Sequence, residues 1–258
     1  MKIRLFILLL IGSKLCIAQH EIDNWLFGGG RHFHFYEDSI AILNDSKVQY
    51  AAFPACVSDT LGNLLLYSSG INVWNKEFKI MKNGDSLLGV LGSCGNIIVK
   101  QPGNNSNYFI FITDNLHHYF PFYFKNSGIR YSIVNMDMDS GRGQVTNKNI
   151  LISDTGGYAT IKLCAIKHYN GKDIWILMQN NDSVNCYLLC ENGLSKKPTV
   201  FFTGQKIVST FSTVGVITAN INGNLIANSN INATPKTISQ IYSFDNSTGI
   251  IKLKNTIK

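Results

Sequence analysis

DTLGNLLLY, residues Asp59 to Tyr67, decides the fold class. Asp, Gly and Asn are turn formers, and a short apolar run ending in an aromatic follows them at once. Such a run, bounded by turn residues, is a strand signal rather than a helical one. The same shape returns as YNGKDIWI (Tyr169 to Ile176) and NINGNLIA (Asn220 to Ala227), and with a longer turn as PGNNSNYFIF (Pro102 to Phe111). A second theme, strand then Asp turn then Gly, occurs at Tyr131 to Gly143 and at Ile241 to Gly249. Other apolar runs, such as Ile129 to Val134 and Cys186 to Cys190, are also of strand length, and Asn-Gly pairs punctuate the chain at Asn83, Asn170, Asn192 and Asn222. Nothing repeats with a helical period. The fold class is all-β.

The turn glycines Gly62, Gly103, Gly171 and Gly223 lie 41, 68 and 52 residues apart. Four-stranded propeller blades recur at roughly 40–50 residues. The spacing therefore predicts a β-propeller of four-stranded antiparallel blades, with the long interval absorbing an insertion around His117 to Asn126. Radial stacking buries the faces of sheets that would each be exposed alone. About 240 residues remain after the leader described next, which leaves room for roughly five blades.

The N-terminus reads differently from the rest. Lys2 and Arg4 precede an apolar run from Leu5 to Ile11, and Cys16, Ile17 and Ala18 offer small residues before Gln19. This is the pattern of a signal peptide over residues 1–18, with the propeller at 19–258. Lys14 interrupts the run before the ~20 apolar residues a membrane span needs, and no later segment is long and apolar enough to span. The expected location is secreted, periplasmic or at the cell surface. The formal charge of +7 falls to +4 once Lys2, Arg4 and Lys14 are removed (7 − 3). The remaining charge is scattered, which argues against nucleic acid as a partner. Five cysteines remain, Cys56, Cys94, Cys164, Cys186 and Cys190. None of them form a CxxC pair. Cys186 and Cys190 would stand ~13 Å apart on a strand, too far for a disulfide.

Several stretches invite a chemical reading. NWLFGGGRHFHF (Asn24 to Phe35) joins three glycines to two histidines, but it lacks the helix start and Lys-Ser/Thr of a phosphate loop. The glycines read as a turn. His32 and His34 read as the solvent face of an edge strand, with Phe33 and Phe35 inward. Two histidines fall short of the three or four ligands of a metal site. MDMDSGRG around Asp137 and Asp139 has Gly141 where a calcium loop needs an acid, and reads as a hairpin turn whose aspartates cap their own amides. Cys94 in GSCG has no base placed beside it, and no Gly-x-Ser-x-Gly or His-Glu-x-x-His is present. The expectation is thus no catalytic residue, no metal and no cofactor. The aromatic cluster DNLHHYFPFYF supplies the candidate contact residues, His117, His118, Tyr119, Phe120, Phe122 and Tyr123, for a protein or carbohydrate partner.

Val73 to Gly89, taken with Asn24 to Gly28, Asp59 to Tyr67, Ile97 to Gly103, Gly128 to Val134 and Gly141 to Leu151, resembles the N-terminal propeller region of large exported Bacteroidetes proteins. Those proteins carry polycystic-kidney-type repeats and a gliding-motility-associated, type B sorting domain of type IX secretion. The resemblance runs from about residue 24 to 258. It implies a WD40-like or YVTN-like propeller, exported, with no established chemistry. Relatives of this kind continue for hundreds of residues, so three alternatives stay open, a truncated propeller, a degenerate copy or a smaller closed ring, and type IX secretion does not carry over. The reading is then a non-enzymatic binding or scaffold module at the cell surface or in the periplasm. The alternative is a propeller-type enzyme, a lyase or glycoside hydrolase with a site in the axial channel, or else a non-functional copy.

Overall fold

A computed structural model describes residues 20–49, 54–89, 95–113, 128–154, 159–180, 182–204, 215–231 and 237–257. Nineteen strands are named within these residues, and they form five antiparallel sheets that follow one another along the chain. Sheet 1 is β1 (Asn24–Leu26), β2 (His32–Phe35) and β3 (Ile40–Leu43). Sheet 2 is β4 (Ala55–Ser58), β5 (Leu64–Ser68) and β6 (Val73–Asn75). Sheet 3 is β7 (Asn96–Lys100), β8 (Asn107–Thr113), β9 (Gly128–Asn135) and β10 (Gln144–Asp154). Sheet 4 is β11 (Ala159–Lys167), β12 (Ile174–Asn180) and β13 (Ser183–Cys190), with β14 (Gly193–Leu194) and β15 (Thr199–Phe202) both paired to β13. Sheet 5 is β16 (Ile217–Ala219), β17 (Leu225–Ile231), β18 (Thr237–Asp245) and β19 (Ile250–Ile257). Sheets 1, 2, 3 and 5 are open meanders, and in sheet 4 the chain returns so that β15 pairs with β13 alongside β14.

The repeated turn sits at one topological place, between the first and second strands of sheets 2 to 5. In DTLGN the Asp59 carboxylate accepts the amides of Leu61 and Asn63, and Gly62 closes the turn at φ +84°. Asn104, Asn170 and Asn220 do the same work in the other three, each accepting two later amides. A short side-chain acceptor that mimics the backbone explains why Asp or Asn holds this position. The second theme falls between the third and fourth strands of sheets 3 and 5.

Core clusters lie between successive sheets. Leu26, Tyr67 and Trp74 fill the first seam, with Tyr67 and Trp74 stacked at 5.0 Å. Leu66, Tyr108, Ile110 and Val134 fill the second, Phe109, Phe111, Ile176 and Leu189 the third, and Trp175, Leu177, Ile226, Tyr242 and Phe244 the fourth. β8 shows how period-two alternation serves two seams. Its even residues face sheet 2 and its odd ones face sheet 4, so the strand is buried on both faces. The first strands pack in series, β1 on β4, β4 on β7, β7 on β11 and β11 on β16.

Backbone closeness pins one join within sheet 2. The Gly89 amide donates to the Gly70 carbonyl at 3.0 Å, and a Cβ on Gly89 would meet that oxygen at 2.3 Å. Contact with backbone cannot be relieved by a rotamer change. Gly89→Ala is expected to cost about 2–3 kcal/mol in urea denaturation. Gly171→Ala, whose Cβ would meet nothing within 4 Å, should cost only about 1 kcal/mol for its positive φ.

Sheet 1 corrects the histidine reading. β2 is the middle strand, not an edge. His32 is buried and faces sheet 2, while Phe33 and Phe35 lie on the opposite face with Trp25 and Phe27. The alternation is as expected, but the side is reversed, because Asn24 and Asp45 give the imidazoles polar partners there. Gly29 and Gly30, at φ +71° and +77°, make the β1–β2 turn. The Asp137 region is a turn, but its aspartates do not cap their own amides. Asp137 accepts from the Ser106 hydroxyl, and Asp139 binds the Arg142 guanidinium at 3.1 Å.

Candidate functional site

Antiparallel pairing brings the start of each first strand beside the end of the second, at one end of the sheet, the leading end. Ala55 pairs with Ser68, Asn96 with Ile112 and Ala159 with Asn180. The apolar seams give way to polar side chains towards this end. Ser68, Asn96, Thr113, Thr160, Lys162, Gln179, Asn228 and Gln240 are all buried. Buried polar groups persist where partners satisfy them. The Asn96 side chain accepts the Ala55 amide at 3.2 Å, joining sheets 2 and 3.

The densest part spans sheets 4 and 5. Thr160 and Lys162 share a face of β11. The Thr160 hydroxyl donates to the Gln179 carbonyl at 2.8 Å. The Gln179 side-chain oxygen accepts from Lys162 Nζ at 3.2 Å and from Asn228 Nδ2 at 3.0 Å. The Tyr242 hydroxyl donates to Gln240 Oε1 at 2.5 Å, and Gln240 Nε2 reaches the Thr203 carbonyl. Asn228 Oδ1 is buried and has no partner among the described residues.

Lys162 is the chemically distinct member. It is 1% exposed, and burial pulls its ammonium down from 10.5 to about 7. Removing an ammonium from water penalises the charged form. Near neutrality the amine is therefore partly uncharged, the form that takes up a proton or attacks a carbonyl. Backbone crowds it from sheet 5. A Cβ on Gly215 would lie 2.7 Å from Lys162 Cε and 2.1 Å from the Ser229 carbonyl.

The histidines form a second polar centre between sheets 1 and 2. Asn24 donates to the Ser58 hydroxyl at 2.8 Å and to the Gly62 carbonyl at 2.7 Å. Its Oδ1 meets His32 Nε2 at 2.8 Å and His34 Nδ1 at 2.9 Å, and His32 Nδ1 meets Asp45 at 2.9 Å. Asn24, held by both histidines, is thus the residue whose bonds tie sheet 1 to sheet 2. Among the described residues, no three His, Cys, Asp or Glu side chains gather as a metal site would require. Cys56, Cys164, Cys186 and Cys190 are free thiols, with Cys186 pushed up to about 12, mainly by burial. His117, His118, Tyr119, Phe120, Phe122 and Tyr123, as well as Cys94, lie outside the described residues. Among the described residues, no helix is long and apolar enough to cross a membrane.

No family model and no curated protein matches this chain. Solved structures do. A candidate 6-phosphogluconolactonase of Bacteroides uniformis aligns with a TM-score of 0.52 at 14% identity, over 88% of this chain and 63% of its own. Another, from Bacteroides fragilis, aligns at 0.51 and 13%, over 90% of this chain and 65% of its own. An endo-arabinase of Bacteroides thetaiotaomicron aligns at 0.42 and 13%, over 92% and 80%, too loosely to carry weight. This chain thus spans just under two-thirds of the length of the first two. The likeness establishes a shared fold. It also corrects the expectation of a non-enzyme, since both structures of this fold are assigned, as candidates, to an enzyme class.

Proposed function

We propose that the chain is a propeller-type enzyme acting on a carbohydrate-derived ester such as a phosphorylated sugar lactone, with its site at the leading end of the sheets. The carrying observation is Lys162, a buried amine held at about 7 beside Gln179 and Asn228. The fold shared with the two candidate lactonases supports the substrate class. On this reading the neutral Lys162 amine takes a proton from water as its oxygen adds to the lactone carbonyl carbon. The ring C–O bond then breaks, and the proton passes to the departing ring oxygen, leaving the open acid. The five successive sheets and their serially packed first strands support a propeller arrangement, and the leader-like N-terminus supports export.

Purified chain should accelerate the hydrolysis of 6-phosphogluconolactone above its spontaneous rate, read as acid release in weak buffer. A base must be deprotonated to act, so kcat/KM should rise with pH and level off above about 7. Lys162→Met should lower it by about 100-fold or more. No acceleration over buffer, or an unchanged Lys162→Met, would overturn the reading.

A further inference from the structure

The opposite end of the sheets carries a separate small groove, of about 380 Å³, between sheets 2 and 3. Glu21, Ser58, Asp59, Lys100 and Tyr108 line it with Val57 and Leu65. Its frame is rigid. Glu21 lies on a 3-10 turn (His20–Ile22) clamped by His20 to Asp23 at 2.7 Å, and Asn24 ties the adjoining chain to the Gly62 carbonyl. Lys100 and Tyr108 are paired directly across β7 and β8.

Tyr108 is the telling residue. Its side chain is sunk in the second seam and only 5% of the residue is exposed. Its hydroxyl opens to the groove and makes no hydrogen bond to a described residue. Burial, followed by the nearby Asp59 and Glu21 carboxylates, raises its pKa, so the phenol keeps its proton and can donate. The ring is thus anchored in the seam while its hydroxyl is left free to bond a molecule in the groove.

We infer that this groove binds a neutral, monosaccharide-sized polyol through vicinal hydroxyls. Lys100 donates, Glu21 accepts, and Tyr108 can do either. Charge-assisted bonds of both kinds, side by side, suit hydroxyls that donate and accept in turn. Val57 and Leu65 offer apolar surface to the C–H face of a ring. A divalent cation fits poorly. Lys100 opposes it, and the Asp59 oxygens already hold Leu61 and Asn63. The site is independent of the Lys162 reading.

The test is titration calorimetry with methyl β-glucopyranoside, methyl α-mannopyranoside and myo-inositol, with n-butylamine and calcium chloride as the cationic alternatives. At least one polyol should bind with Kd of about 10 mM or tighter. Tyr108→Phe and Glu21→Gln should each weaken it by about fivefold or more, the loss of one hydrogen bond. Lys162→Met should leave it unchanged, which separates this site from the proposed catalytic one. Thermal melts establish that both groove variants are folded. The inference is overturned if no polyol binds, if neither variant weakens binding, or if only the amine or calcium binds.

Discussion

Replacing Lys162 with methionine is expected to raise the stability of the folded chain at pH 6 by on the order of 3 kcal/mol. The sign follows from the lowered proton affinity. Folding moves this amine from 10.5 to about 7, so below pH 7 the folded state must hold a buried charge that the unfolded state carries freely in water. At about 1.4 kcal/mol per tenfold in proton affinity, the full penalty is roughly 5 kcal/mol. The lost bond to Gln179 offsets part of the gain from its removal. Between pH 7 and 10.5 the folded state sheds its proton first. The parent therefore gains stability with rising pH across that window, and the advantage of Lys162→Met shrinks towards zero or below. Urea denaturation of both proteins at pH 6, 8 and 10 reads this directly. A variant less stable than its parent at pH 6 would show that the amine is not penalised by burial. Paired with the activity assay, the outcome separates a residue kept for chemistry from one kept for structure, because only the former loses rate while gaining stability.

Trp175→Ala should cost about 3–5 kcal/mol, enough to threaten folding altogether. Trp175 is the bolt of the fourth seam. It crosses Phe244 edge-on at 6.2 Å, its indole N–H donates to the Asn246 carbonyl at 2.8 Å, and Gly249 lies flat against its ring. A Cβ on Gly249 would fall 2.8 Å from that ring, so the glycine of the β18–β19 turn is selected by the tryptophan as well as by its φ of +76°. Trp175→Phe keeps much of the apolar contact and loses the hydrogen bond, and should cost about 1–2 kcal/mol. Chemical denaturation of the two variants ranks these contributions. Equal losses would place the weight on the N–H rather than on the ring.

The turns and the buried strands were legible because their causes are local. Asp59, Asn104, Asn170 and Asn220 satisfy amides within five residues of themselves, and such short-range bonds leave a mark in sequence. Runs such as Ile174 to Met178 are apolar at every position because both faces meet a neighbouring sheet. The polar layer was not legible. Lys162, Gln179, Asn228 and Gln240 come from four strands in two sheets, and each looks alone like a solvated position. The available hint was positional: Thr160 falls near the start of β11 and Gln179 near the finish of β12, places that antiparallel pairing brings to one end of the sheet. His32 and His34 failed for a related reason. Alternation tells which residues share a face, but whether that face is inside depends on Ser58 and Gly62, more than twenty residues away.

The seams described above have a consequence for how damage spreads. Among the described residues each core cluster is shared by two adjacent sheets, as in solenoids whose stability is a sum over neighbouring units. A lesion at Trp175 loosens the fourth seam, while Tyr67 and Trp74, three seams away, keep their own contacts. The molecule should therefore come apart like a hinged screen, panel by panel from a weakened joint, rather than like a drop that holds or disperses as a whole.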